Sequence, residues 1–589
     1  MLCFLLLWGM VGQAQQGPVF VQVYSLDGQQ PILDELKIPE RYPNRNAYTK
    51  GMNTLLGDLY DQSYLAASID SIARVDSLRQ VFVYVGAAYE WASLKNGNVE
   101  DAWLSQVGFR EKLYSNKPFN FKEVRQLQSD LITYAENHGF PFASVWLDSI
   151  HVKDGQFSAR IYMQQNRAIE IEGLEVRGPA KISSGYLSSY LGIKPTTVYD
   201  ESQIKKVRAR LRELAFIKET QNLTVTFLED KATVNLFLDN KRASRFDFLI
   251  GFLPRNEETG GLILTGNAEI DLFNPFGTGK RLRFEWQQLR PGTQELEVHF
   301  LYPYVLSQPF GVDFTFNLYK RDSSYLDLIR DFGIQYHFEG HNYIKAFWDN
   351  RATNVLNLDA DRVLATRQLP TNLDVTNSTF GLAYNWQQLD YRFNPRKGWD
   401  LMLRGGAGVK RIRRNNKITD LADPEDPLFD FASLYDSLQL RSFQYRLDGH
   451  GAYYWPLGKR STLKSGVQFG LIQTGEELFQ NELYRIGGTQ TLRGFDEESL
   501  FVSTYIIGTL EYRFFIAQNS YLFAFLDYGY TENLILEMNQ RDQPLGFGAG
   551  MTFETRAGIF AISYALGRQQ SNPIDYGAAK IHFGYVNFF

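Results

Sequence analysis

From about Ser244 to the end of the chain, apolar residues return at every second position, stretch after stretch, with no helical spacing between them. In VDFTFNLYK, Val312, Phe314, Phe316 and Leu318 fall on one face, and Asp313, Thr315, Asn317 and Tyr319 on the other. In GFGAGMTFE, Phe547, Ala549, Met551 and Phe553 oppose Gly546, Gly548, Gly550 and Thr552, and GIFAISYALG, RLRFEWQ, LEVHFLYPY and the terminal KIHFGYVNFF alternate in the same way. A β-sandwich also alternates, but over shorter strands and with fewer large aromatics on one face. Aromatic residues make up 15% of this chain, Gly accounts for 48 of its 589 residues, and charged residues are held to 22%. That mixture suits strands that are apolar on a single, lipid-facing side. No internal run reaches the roughly 18 apolar residues of a membrane helix. At ~9–11 residues per span, residues 244–589 supply about 16 membrane strands with their connections. In hydrocarbon such a sheet must close, because an open edge leaves backbone groups unpaired. The expectation is a transmembrane antiparallel β-barrel over 244–589.

The preceding region mixes helices with strands, and it repeats. In one copy Asn120 opens an amphipathic helix in which Phe121, Val124, Leu127, Leu131, Ile132 and Ala135 recur at helical spacing, with Gly139 as its stop. Two strands, SVWLDSIHV and FSARIYM, follow and are hinged at Asp154-Gly155. The next copy runs AIEIEGLEVRG, then a helix SQIKKVRARLRELA opened by Asp200-Glu201, then LTVTFLED and ATVNLFLDN. A more divergent first copy has a helical stretch around Met52 to Ile72 and a strand at Val81 to Val85. Tandem units of about 75 residues describe a modular α+β arm, divided here as 19–86, 87–165 and 166–241.

Leu2 to Val11 is a short apolar core followed by Gly12-Gln13-Ala14, small residues where a signal peptidase cuts, so residues 1–14 read as an export signal with Gln15 as the mature start. No Lys or Arg precedes Lys37, which leaves the true start codon open. Cys3 is the single cysteine, which removes disulfide scaffolds, zinc-thiolate sites and cysteine catalysis. A net charge of −5 argues against a nucleic-acid partner. There is no His-Glu-x-x-His and no Gly-x-Ser-x-Gly. The seven His do not cluster, so neither a catalytic group nor a metal or other cofactor is expected. Gly277-Thr278-Gly279-Lys280 lacks the spacing of a phosphate loop. The polar insert Arg411 to Ser437 reads as a solvated extracellular loop.

Five segments, in this order, carry a resemblance. Leu272-Phe273-Asn274-Pro275-Phe276-Gly277-Thr278-Gly279 looks like the turn after a first barrel strand. Asp390-Tyr391-Arg392-Phe393-Asn394-Pro395-Arg396-Lys397-Gly398 is similar to an Asp-x-Arg-x-x-Pro-x-x-Gly mid-barrel segment. Tyr484 to Phe495, with Gly487, Gly488 and then Arg493-Gly494-Phe495, resembles a long sixth extracellular loop tipped by Arg-Gly-Phe/Tyr. Phe525-Leu526-Asp527-Tyr528-Gly529 resembles a Phe-x-Asp-x-Gly strand motif. Gly546 to Tyr564 resembles the penultimate hairpin, and Phe589 supplies a terminal aromatic. Together they resemble the BamA/TamA superfamily of outer-membrane insertases and two-partner secretion transporters, and the N-terminal copies resemble POTRA domains, three in number, a TamA-like architecture.

The resemblance implies an outer-membrane protein, not an enzyme, with its POTRA arm in the periplasm. It implies that the sixth loop folds inside the barrel and is pinned there by Arg493 on Asp527. Arg suits that role because its planar fork grips a carboxylate with two bonds, which Lys cannot reproduce, and Gly494 lets the loop turn tightly at the contact. It assigns a terminal strand signal to Gly584, Tyr585 and Phe589, with Asn587 as a polar interruption at the interface. Its implied partners are unfolded outer-membrane β-barrel proteins and outer-membrane lipids, with accessory lipoproteins or an inner-membrane partner as further candidates. Three functions stay open: an assembly factor that captures barrel clients through its POTRA domains and inserts them at a lateral seam, a two-partner transporter exporting one dedicated protein, and a passive barrel or receptor.

Overall fold

The computed structural model describes residues 18–589 apart from 76–77, 255–261, 291, 339, 392–393, 497, 536–537, 556–557, 570–573, 575 and 587–589. The export signal at 1–14, Arg392 and Phe393, Asn587 and the terminal Phe589 therefore lie outside the described residues. Contacts divide the chain into two units, one containing most of residues 18–171 and the other most of 172–589.

The first unit holds two four-stranded mixed sheets of the same topology. In one, Val19–Ser25 runs parallel to Leu78–Tyr84 and is flanked by Arg41–Tyr42, while Ser68–Val75 forms the far edge. In the other, Glu90–Asn96 runs parallel to Gln156–Gln164, with Lys117–Pro118 on one side and Ser144–Lys153 at the edge. A parallel pair needs a crossover, and helices Arg45–Asp61 and Phe121–Glu136 supply it. Both helices start at an asparagine: Asn44 Oδ1 accepts from the Ala47 N–H, and Asn120 Oδ1 from those of Lys122 and Glu123. Their apolar stripes fill the cores. Leu131 of the second helix and Trp91 and Leu94 beneath it are 0% exposed, with Phe119 and Phe157 packed on Trp91. The expected hinge at Asp154-Gly155 has φ of 53° and 76°, a left-handed pair that fits a tight hairpin.

One expectation fails here. The helical reading of Met52 to Ile72 ends at Asp61, and Ser68–Val75 is a strand. A bulge between Ile69 and Ser71 sets Ile69 opposite Val83 and Ile72 opposite Val81, so a spacing of three imitates a helix on what is an edge strand. Helices Asp101–Gln106 and Ser184–Leu191 were not foreseen.

A third small sheet, of strands Ile217–Glu219, Lys231–Asn240, Thr224–Leu228 and Glu170–Arg177, precedes the large one. In the second unit, its helix Ser184–Leu191 abuts the turn at 274–280. Asn274 donates to the Lys181 carbonyl at 2.9 Å, and Tyr186 meets Tyr304 edge-on at 5.8 Å.

Among the described residues the large sheet has 17 antiparallel strands in sequence order. One of them, Met538–Asp542, continues the hairpin at the outer end of Tyr521–Ile535, which leaves sixteen wall strands: 17 less that one. We number them β1 (Arg245–Pro254), β2 (Leu262–Phe273), β3 (Arg281–Arg290), β4 (Thr293–Tyr302), β5 (Phe310–Arg321), β6 (Tyr325–His337), β7 (Tyr343–Val355), β8 (Val375–Leu389), β9 (Gly398–Ile412), β10 (Arg441–Pro456), β11 (Ser461–Thr474), β12 (Thr504–Phe515), β13 (Tyr521–Ile535), β14 (Leu545–Thr555), β15 (Gly558–Arg568) and β16 (Lys580–Val586). The count agrees with the expectation from length. The segment Leu272 to Gly279 follows the second strand, not the first, because β1 begins only four residues after the last small-sheet strand.

Alternation resolves as a wall. On β12, Ile506, Leu510, Tyr512 and Phe514 are exposed outward, while Ile507, Glu511 and Arg513 are buried inward. Aromatic rings gather at one end of β8–β10, where Trp386, Trp399, Tyr453 and Trp455 form a continuous band with centroid spacings of 4.3–6.4 Å. Such a girdle marks a membrane–water boundary. Inward charges are paired, as where Lys345 bridges Asp313 at 2.5 Å and Asp331 at 2.6 Å. The insert 411–437 corrects the solvated reading: its Phe431 and Tyr435 are 0% exposed and lie with its Ile418 in a small core completed by Val363 and Phe479 from neighbouring loops.

Leu131→Ala removes a fully buried side chain from the second module and costs about 2–5 kcal/mol. Hydrogen exchange of the full-length protein should show loss of protection in residues 90–164 and none in β1–β16.

Candidate functional site: a loop held in the lumen

Between β11 and β12 the chain does not turn back at once. Residues 475–503 form a long loop whose inner part is a small hairpin, Tyr484–Ile486 paired with Leu500–Val502. Its own apolar core, Ile486, Leu492, Phe495 and Val502, rests on Ile507 of β12. The loop touches distant parts of the wall. Tyr319 of β5 lies 3.8 Å beneath the Arg485 guanidinium, and Lys580 of β16 pairs with Asp496 at 2.9 Å. One loop can reach the fifth and the sixteenth strands only if the wall curls round it.

Arg493 stands at the centre of the loop's contact with the wall. Its Nε and Nη2 donate to the two oxygens of Asp527 on β13, each at 2.8 Å, and its backbone N–H adds a third bond at 3.2 Å. The Thr509 hydroxyl of β12 completes the set at 2.9 Å, so all four acceptor positions of the carboxylate are used. The guanidinium lies 3.6 Å over the Phe525 ring, which gives the first residue of the Phe-x-Asp-x-Gly motif its role. Asp527 is 1% exposed, so its charge is stable there only because it is fully paired.

Glycines make the approach possible. Gly494 has φ +91°, and a Cβ there would meet the Leu566 carbonyl oxygen at 2.5 Å. Facing it on β14, a Cβ on Gly546 would stand 2.0 Å from the Arg493 carbonyl oxygen, and one on Gly548 would stand 2.8 Å from the Phe525 ring. The inward face of β14 is therefore a trough for the loop tip. Gly487 and Gly488, with φ of +118° and +89°, form a second tight turn in which the Thr491 hydroxyl bonds the Gly487 N–H and carbonyl. Phe495 points into the loop's own core. Gly529 does not meet the loop: it abuts Pro544, where β13 passes from β14 to the outer hairpin. Gly584 and Tyr585 sit in β16 opposite Ala561 and Phe560, away from the loop site.

Sequence reasoning missed Glu511. It binds Arg493 Nη1 on one side and Arg513 Nε at 2.7 Å on the other. Thr509, Glu511 and Arg513 stand at every second position of an otherwise apolar strand, and that signal could have found them. Among the described residues no cluster of His, Cys, Asp or Glu could hold a metal ion.

A curled antiparallel wall, apolar outside, with a polar lumen that grips an inward loop and an α+β arm before it, defines an outer-membrane β-barrel of the loop-plugged class. Residues 274–589 match the Omp85 superfamily domain. The chain belongs to the Omp85 superfamily, whose members are outer-membrane barrels with periplasmic POTRA domains. No curated protein sequence matches it. Among solved structures it is similar to CdiB from Escherichia coli (11% identity, 92% of this chain and 97% of that one, TM-score 0.49). It is also similar to CdiB from Acinetobacter baumannii (14%, 82% and 86%, 0.47) and to BamA from Haemophilus ducreyi lacking POTRA domains 1-3 (13%, 84% and 98%, 0.44).

Arg493→Ala leaves Asp527 and Glu511 without their shared cation and should weaken loop docking by about 3–5 kcal/mol. The barrel should still migrate as a heat-modifiable folded species while the 484–502 hairpin becomes open to protease and complementation is lost. Arg493→Lys, which cannot form the two-pronged contact, should fail to rescue.

Proposed function

We propose that this protein is an assembly factor that captures unfolded outer-membrane β-barrel proteins on its periplasmic arm and releases them into the membrane at the junction of its first and last barrel strands. The observation that carries this reading is the open edge of Ser144–Lys153. This strand of ten residues pairs only with Gln156–Gln164 among the described residues, and it exposes Trp146, Ile150 and Val152. An unpaired edge offers its N–H and C=O groups to any extended chain, while exposed apolar side chains favour the alternating strands from which barrels are made. The first sheet has the same kind of edge in Ser68–Val75, with Ile72 and Val75 exposed. Three small sheets ahead of the barrel support dividing the arm into POTRA domains at 19–86, 87–165 and 166–241. Transient strand pairing at the arm and then at the β1/β16 junction would transfer a client without nucleotide, because hydrogen bonds are exchanged rather than lost. Outer-membrane lipids are the second partner, at the outward faces of β1 and β16, and accessory lipoproteins or an inner-membrane partner would add to the arm.

Depletion followed by quantitative outer-membrane proteomics tests this reading. A broad fall in barrel proteins is the expected outcome. Loss of one secreted protein with all barrels intact would replace this reading with a dedicated secretion transporter.

A further inference from the structure

The pin at Arg493 holds the tip of the loop; a different pair of charges holds its root. Lys410, near the outer end of β9, is 0% exposed, and its Nζ lies 2.6 Å from Glu482 Oε2 and 2.7 Å from the Glu477 carbonyl. Glu482 in turn accepts the Phe479 N–H at 3.0 Å and the Gln444 amide at 3.2 Å, and its carbonyl accepts from Arg446 at 2.7 Å. Every one of these wall residues faces the lumen near its outer mouth, where an open barrel would be wet. Lys410 and Gln444, 0% and 1% exposed, are dry because residues 477–483 lie across them, while Arg446 stays half-buried. The same stretch belongs to the outer cap. Phe479 sits in the core shared by the loops 356–374 and 413–440, Asn481 donates to the Leu373 carbonyl at 3.0 Å, and the Gln480 N–H donates to the Thr371 carbonyl at 3.2 Å. Glu482 thus stands where the cap ends and the lumen hairpin, beginning at Tyr484, starts.

We propose that Lys410 and Glu482 are positioning residues that clamp the root of the lumen loop to the outer cap and so keep the resting barrel closed to solutes. A carboxylate and an ammonium taken wholly out of water stay only as a pair; removal of one leaves the other charge buried and uncompensated, and water must reach it. Water can reach Lys410 only if residues 477–483 lift, which opens the mouth and frees the hairpin from its outer end. The tip pin and the root clamp are separate, since no residue is shared between them.

Ion conductance of the purified full-length protein in planar lipid bilayers tests this, with heat-modifiable mobility as the check that each variant is folded. Glu482→Gln and Lys410→Met should each raise the fraction of time spent in an open channel at least about tenfold. The double variant Lys410→Met/Glu482→Met, which removes both charges and keeps the volume, should return to the closed behaviour of the native protein. That non-additivity separates a coupled clamp from two residues that merely stabilise the barrel. A single variant that fails to fold while the double variant folds closed shows the same coupling. Folded single variants with native conductance overturn the proposal, and so does a double variant that is open or does not fold.

Discussion

In hydrocarbon no backbone N–H or C=O can be left without a partner, and this one requirement orders the rest of the molecule. It makes the ladders of the wall continuous: β8 and β9, for example, pair without interruption from Val375 and Ile412 to Leu389 and Gly398. Continuous ladders fix alternation, and alternation sends every second side chain into the lumen. The lumen therefore receives polar residues in numbers that would be unusual in a soluble core, and each must be solvated or paired. Asp313, Lys345, Asp331 and Arg404 settle this among themselves. Glu511 has Arg513 of its own strand for one oxygen, but Asp527 receives only the Thr509 hydroxyl from the neighbouring strand, and its cation comes from the loop.

The loop answers that need. Arg493 arrives from outside the wall with five donors and a flat face, and it satisfies both acids and a ring at once. The wall gives way to admit it: glycine occupies the inward positions of β14 at Gly546, Gly548 and Gly550, where side chains would block the loop backbone or the Phe525 and Phe523 rings. The complementarity is thus mutual, with charge on one side and missing volume on the other. At the root the same logic is drier. Lys410 and Glu482 have no access to water, whereas Arg493 keeps a seventh of its side chain exposed at 14%.

The barrel was legible because period two over hundreds of residues has few other meanings, and Arg493 and Asp527 could be paired because each sits in a segment that resembles a motif of the family. What stayed hidden depended on register. Thr509 stands opposite Asp527 across β12 and β13, but any inward residue of β12 would have looked equivalent in sequence. Glu482 and Lys410 are 72 positions apart and meet through the fold of three loops, none with a periodic pattern. The charged insert 411–437 looked solvated because its apolar residues, Ile418, Phe431 and Tyr435, are sparse and become a core only when Val363 and Phe479 join them. In the first module one bulge was enough to disguise a strand as a helix.

The burial of Arg493 also decides how the protein meets a change of medium. Dissolved ions screen charges they can surround, over about 8 Å at physiological strength, and leave enclosed pairs largely untouched. Asp527 and Glu511 are 1% and 6% exposed, so the loop's attachment is nearly blind to salt. The ion pair joining the first two modules, Arg125 with Asp61 at 2.9 Å, is different: its side chains are 56% and 30% exposed. Salt therefore reaches the pair on the arm and not the plug, and even on the arm it removes only about 0–1 kcal/mol, since the Tyr89 N–H still holds the Ser63 carbonyl at 2.9 Å.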